Sequence, residues 1–129
     1  MRVVCFQGEK KCDTVEELNE VLKLRSEKNS NDFYLIPEET KNEPFLEILV
    51  KDEWTYVIHF KEGDDPGRYA YVDDNGLDPD GEIVFNIGSM NNIMEMSNQY
   101  IISLEKAYEV AREYFITNEL SKEVKWFEL

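Results

Sequence analysis

The sequence has 129 residues, 42% hydrophobic and 12% aromatic, which is enough apolar surface for one packed core and too much for a disordered chain. Twenty-eight acidic residues against fourteen basic ones leave a net charge of −14, which sets the chain against nucleic-acid phosphates and anionic membranes and draws it toward basic partners. No window approaches the roughly 18 apolar residues of a membrane span, and Met1 to Glu9 lacks the apolar stretch and cleavage site of a signal peptide, so a cytoplasmic protein is expected.

Arg2 to Gln7 reads as a short strand and Gly8 to Lys11 as a polar turn. Asp13 or Thr14 can cap a first helix, with Glu16 or Glu17 reaching back to the cap. Val15, Leu18, Val21, Leu22 and Arg25 form its predicted buried stripe, and Glu27 to Asp32 has loop composition. Phe33 to Ile36 is a brief strand stopped by Pro37. Phe45 to Val50 and Trp54 to Phe60, joined by a short charged link, predict a hairpin. In its second strand Trp54, Tyr56, Ile58 and Phe60 share one face, and Thr55, Val57 and His59 the other.

The acidic middle follows. Arg68 to Val72 and Glu82 to Ile87 read as strands, each preceded by a turn-rich acidic loop, and Gly88 closes the second. Asn91 to Ile102 favours a strand bent at Ser97 and Asn98. The clearest helix begins at Ser103, a good N-cap, and ends at Asn118, which tolerates a left-handed conformation. Leu104, Ala107, Tyr108, Ala111, Tyr114 and Phe115 recur on one face at spacings of three and four. Val124, Trp126 and Phe127 then predict a tail that returns to the body of the protein. The order of pieces is that of an α+β fold, residues 1–129 forming a single domain in which an antiparallel β-sheet packs against two main helices.

Chemistry-bearing motifs are scarce. Cys5 and Cys12 have no metal-binding spacing and read as free thiols in a reducing compartment. There is no glycine-rich phosphate loop and no nucleophile elbow. The single histidine, His59, lies inside a strand and reads as a structural or exposed strand histidine. The loop Asp73 to Glu82 invites a calcium reading, but no Glu occupies the twelfth position of an EF-hand register, and a solvated turn is the simpler account. No catalytic residue, cofactor or metal is assigned.

A binding role fits better. Asp64, Asp65, Tyr69, Tyr71, Asp73, Asp74, Asp78, Asp80 and Glu82 interleave carboxylates with aromatics, a composition suited to meeting a basic protein. Against this, Tyr69 and Tyr71 can equally point into the core while the acids solvate their loops. Met90, Met94 and Met96 could form an adaptable contact surface, with core filling the plainer use.

Several stretches carry a family resemblance: Thr14-Val-Glu-Glu-Leu, Phe45-Leu-Glu-Ile-Leu-Val, Ile83-Val-Phe-Asn-Ile-Gly88, Tyr100-Ile-Ile-Ser-Leu-Glu-Lys-Ala, Ala111-Arg-Glu-Tyr-Phe-Ile-Thr-Asn and Val124-Lys-Trp126. Together they resemble immunity protein family one of bacterial polymorphic toxin systems, over nearly the whole length. Ser103 stands where that family usually has Pro, and Asn118 where it has Gly; both replacements keep the local geometry. The resemblance implies a cytoplasmic antitoxin, not an enzyme, that binds and neutralises the C-terminal domain of a cognate toxin, often a nucleic-acid deaminase. It implies fold roles for Gly88, Tyr114, Phe115 and Trp126. The expected partner is a basic toxin domain, with no direct nucleic-acid or membrane contact. The rival readings are a homodimeric regulator or other interaction module and, more distantly, a carboxylate-based hydrolase.

Overall fold

The computed structural model describes residues 1–129. Its core is an antiparallel sheet in the spatial order β10 (Lys125–Glu128), β6 (Arg68–Tyr71), β5 (Trp54–Phe60), β4 (Phe45–Lys51), β3 (Ser30–Ile36), β1 (Arg2–Cys5), β2 (Gly8–Lys11). A short strand, β9 (Ile101–Ser103), shares an edge of β5 with β6: β9 pairs with Trp54 to Tyr56, and β6 with Ile58 and His59. Helices α1 (Val15–Leu22) and α2 (Leu104–Thr117) lie on one face. On the other lies a separate hairpin of β7 (Glu82–Asn86) and β8 (Ile93–Ser97).

Strand alternation builds two cores. Phe33, Leu35, Leu46, Ile48, Val50 and Val57 face the helices and meet Leu18, Leu22, Ala107, Val110, Ala111 and Tyr114. Leu49, Tyr56 and Ile58 face the other way and meet Phe85 and Ile101. The division of β5 into two faces is as the alternation predicts. Burying each such aliphatic side chain contributes roughly 1.5–3 kcal/mol before the entropy of ordering is charged.

The helix ends follow their caps. Thr14 Oγ1 accepts the Glu17 amide at 3.1 Å, while Glu17 reaches back to the Asp13 amide. Ser103 Oγ accepts the Lys106 amide, and Asn118 closes α2 at φ 60°. The first helix is shorter than the stripe predicts. It ends at Leu22, and Arg25 instead donates to the carbonyls of Leu22 and Leu24 and to the Tyr108 hydroxyl. In α2, Val110 is buried where the predicted stripe omits it, and Leu104, Tyr108 and Phe115 are half-buried at its margin.

Two polar segments differ from expectation. Gly8–Lys11 is strand β2, not a turn; only Phe6 and Gln7 turn the chain, and a charged, fully exposed strand suits a sheet edge. Ser30 to Asp32 is not loop but the buried start of β3. Its side chains bind other segments: Ser30 Oγ donates to Asn86 Oδ1, Asn31 Nδ2 donates to the Leu24 carbonyl, and Asp32 accepts the Gly88 amide. Composition cannot distinguish a solvated polar run from one satisfied by distant backbone.

The bend predicted at Ser97 and Asn98 is a single 3₁₀ turn (Asn98–Tyr100) between β8 and β9. No helix is long and apolar enough to cross a membrane.

Candidate functional site

A cleft of about 420 Å³ opens on the hairpin side of the sheet, at its β6 and β10 end. Its walls are Tyr71 and the following loop to Pro79, the 3₁₀ turn, and Phe127 from β10. The loop is held by its own side chains. Asn75 Nδ2 donates to the carbonyls of Asn98 and Ile101, both at 2.7 Å, and Asn75 Oδ1 accepts the Leu77 amide. Asp74 Oδ1 accepts the amide of Gly76, which sits at φ +80°. Asp78 Oδ1 accepts the Asp80 amide, and the buried Asn98 donates to the Asp78 carbonyl at 2.8 Å. The Asx turns that a solvated acidic loop predicts are therefore present, and they fix which way the carboxylates point.

Tyr100 is the hub of the cleft. Its ring lies 5.4 Å from Tyr69, 6.5 Å from Tyr71 and 5.7 Å from Phe127, centroid to centroid. Tyr69 continues inward to Tyr56 at 5.1 Å. The two tyrosines thus divide between the readings open at the start: Tyr69 packs on the second core, and Tyr71 is a half-exposed wall of the cleft.

The predicted acids divide in the same way. Asp73 and Asp74 line the cleft, and Asp78 and Asp80 stand exposed at its rim. Asp73 receives Lys125 Nζ at 2.7 and 2.9 Å, so part of its charge is matched within the chain. Glu82 lies beyond the rim, on β7. Asp64 and Asp65 are at the opposite end of β6. Asp65 accepts the Lys61 amide at 2.7 Å and both terminal Arg68 nitrogens at 3.1 Å, and these bonds, the Lys61 amide foremost, hold its carboxyl down at about 2. It orders a turn and does not join the cleft.

Sequence reasoning missed Tyr100, Phe127, Asn75 and Asn98. One signal was available for Phe127. Adjacent strand residues face opposite sides, so a tail that buries Trp126 against the helices must turn Phe127 the other way.

His59 is structural, as its position in a strand suggests. Arg68 donates to its Nδ1 at 3.2 Å, which leaves the ring proton on Nε2. Burial, with Arg68 beside it, pushes the ring down to about 4, so it is neutral at pH 7. Both cysteines are free thiols, Cys12 buried and Cys5 half-buried. No group of three or more His, Cys, Asp or Glu side chains is placed to hold a metal ion.

The residues given fold roles by the resemblance sit in the frame of the protein. Tyr114 is 1% exposed, Phe115 packs against the same core, and Trp126 donates from Nε1 to the Ser121 carbonyl at 2.8 Å. Gly88 adopts φ +73° and donates to Asp32. Asp32 is itself one of a buried acid pair. Glu47 is the other, and burial followed by the Asp32 charge drives its carboxyl up to about 9.

The chain is 27% identical over 124 residues to the double-stranded DNA deaminase immunity protein of Burkholderia cenocepacia (strain H111), an alignment covering 96% of each. The two are homologues. No family model matches the chain. The relative is an immunity protein, the class that the tail motif and acidic middle resemble. The alignment covers 96% of the chain, so it takes in most of the cleft and of the frame that holds it.

Proposed function

We propose that this protein is an immunity protein that binds the C-terminal domain of a DNA deaminase toxin and neutralises it without catalysis. The observation that carries the reading is the end-to-end similarity to an immunity protein against a double-stranded DNA deaminase. A net charge of −14 supports it, because a DNA-handling groove is basic and an acidic protein reaches it quickly. The cleft supports it further: Tyr71, Tyr100 and Phe127 offer aromatic anchors, Asp73 and Asp74 line the same cleft, and Asp78 and Asp80 stand exposed on the adjoining loop.

In this mechanism the carboxylates occupy positions where DNA phosphates would lie. The aromatic wall receives side chains from the rim of the toxin's groove. Duplex DNA is then excluded both by volume and by charge. No proton transfer or bond rearrangement is asked of the immunity protein.

The test is co-expression with the C-terminal domain of the toxin encoded beside it. Restored growth, co-purification in a stoichiometric complex and loss of base deamination in duplex DNA are the expected results. Continued deamination at saturating immunity protein refutes the proposal.

A further inference from the structure

The hairpin of β7 and β8 buries one face and leaves Glu82, Val84, Ile93 and Glu95 of the other exposed; only Asn86, at the turn end of that face, is tied back to the sheet, through Ser30. Ile83, Phe85 and Met96 turn inward to the second core. The register pairs Val84 with Glu95 and places Glu82 and Ile93 two residues along on the same outward side. Of the six large hydrophobic side chains that stand exposed, two are on this outward side, Val84 at 41% and Ile93 at 67%; Met94, at 44%, is opposite Phe85 on the inward side. A two-stranded ribbon needs apolar residues on one face only, so its fold does not explain those on the outward face.

The charges beside them are also unmatched. The register makes Glu82 and Glu95 diagonal neighbours on this face, and each is without a Lys or Arg within 4 Å. Glu95 beside it, by sharing a proton first and by repulsion second, raises the Glu82 carboxyl above its ordinary value. Like charges placed together on a sheet face are destabilising within the chain.

We infer that the outward face of the β7–β8 hairpin is a docking surface for a basic protein, with Val84 and Ile93 as apolar anchors and Glu82 and Glu95 as a joint receptor for one guanidinium or ammonium group. Charge complementarity selects the occupant: an acid pair beside small apolar knobs fits an Arg or Lys flanked by aliphatic or aromatic side chains. The inference rests on the immunity reading and names a second part of its interface. The hairpin borders the cleft directly, since Glu82 follows the Pro79 to Gly81 turn and Ser97 leads into Asn98, a lining residue. A stable interface buries roughly 800 Å² on each partner, and cleft and hairpin together form one continuous surface for it.

The experiment measures binding of the purified toxin domain to wild type, to Ile93→Asp, to Glu95→Lys and to Ile116→Asp. Ile116 is 68% exposed on α2, so its variant controls for a generic surface change. Thermal melts confirm that each variant folds; Glu95→Lys relieves repulsion and is expected to melt no lower than wild type. Ile93→Asp and Glu95→Lys are each expected to weaken binding by about tenfold or more, with Ile116→Asp unchanged. Tight wild-type binding that neither hairpin variant weakens overturns this inference and leaves the immunity reading standing. Failure of wild type to bind the toxin domain overturns both.

Discussion

The backbone amide of Gly88 donates to Asp32 Oδ2 at 2.8 Å, joining two residues 56 positions apart. This bond pins the turn of the β7–β8 hairpin onto the central sheet, and with it the layer that carries both candidate binding surfaces.

Gly88 is at φ +73° and a Cβ there would meet nothing within 4 Å. The cost of Gly88→Ala is therefore backbone strain alone, about 1–2 kcal/mol. Gly88→Asn is expected to cost less, because Asn tolerates the left-handed region. Chemical denaturation of the two variants checks the order.

Glu47 gives a pH dependence whose sign is set by its raised value. In the unfolded chain it ionises near the ordinary 4.5; folded, it holds its proton to about 9. The native state binds the extra proton in between, so the stability this group contributes is full below 4.5 and is lost as pH rises toward 9. Glu47→Gln keeps the side-chain shape without the titration. Its melting temperature is expected to fall less than that of wild type between pH 6 and 9, read by circular dichroism.

Trp126 and Phe127 are adjacent and do different jobs. Trp126 packs on the helix-side core and donates to Ser121; Phe127 stacks beside Tyr100 at 5.7 Å on the cleft side. Trp126→Ala is expected to lower stability by about 2 kcal/mol, below the range for a fully buried Trp because the residue is only half-buried. Phe127→Ala, 44% exposed in wild type, is expected to melt nearly normally and to dissociate faster from the toxin. On the proposed function the tail serves both fold and interface, where the sequence assigns it to the fold alone.

The acids near β6 separate by the same kind of experiment. Asp65→Asn leaves the buried Arg68 without its bidentate partner, so a lower melting temperature with unchanged association is expected. Combined neutralisation of Asp74, Asp78 and Asp80 to Asn keeps the acceptor oxygens that Asp74 and Asp78 offer to the Gly76 and Asp80 amides, and none of the three forms an ion pair within the chain, so slower association at low salt with a nearly unchanged melt is expected. Stopped-flow association against ionic strength distinguishes the two classes. Equal association rates for the triple variant and wild type would remove the rim acids from the interface.

Much of this molecule was determined locally. The spacing in α2, its Ser103 and Asn118 ends, the two faces of β5 and the tail's return to the body follow from periodicity and caps, which depend on residues within a few positions of one another. The acidity and the scarcity of catalytic motifs likewise needed only the sequence.

What the tertiary structure decided lies between distant segments. Ser30 to Asp32 looked like loop and became buried strand because Asn86, Leu24 and Gly88 satisfy it. Carboxylates that looked alike along the chain became a turn fastener at Asp65, a cleft wall at Asp74 and an unmatched pair at Glu82 and Glu95. Residue type fixes what a carboxylate can accept. Only the fold fixes which donors reach it, and so which charges remain for a partner.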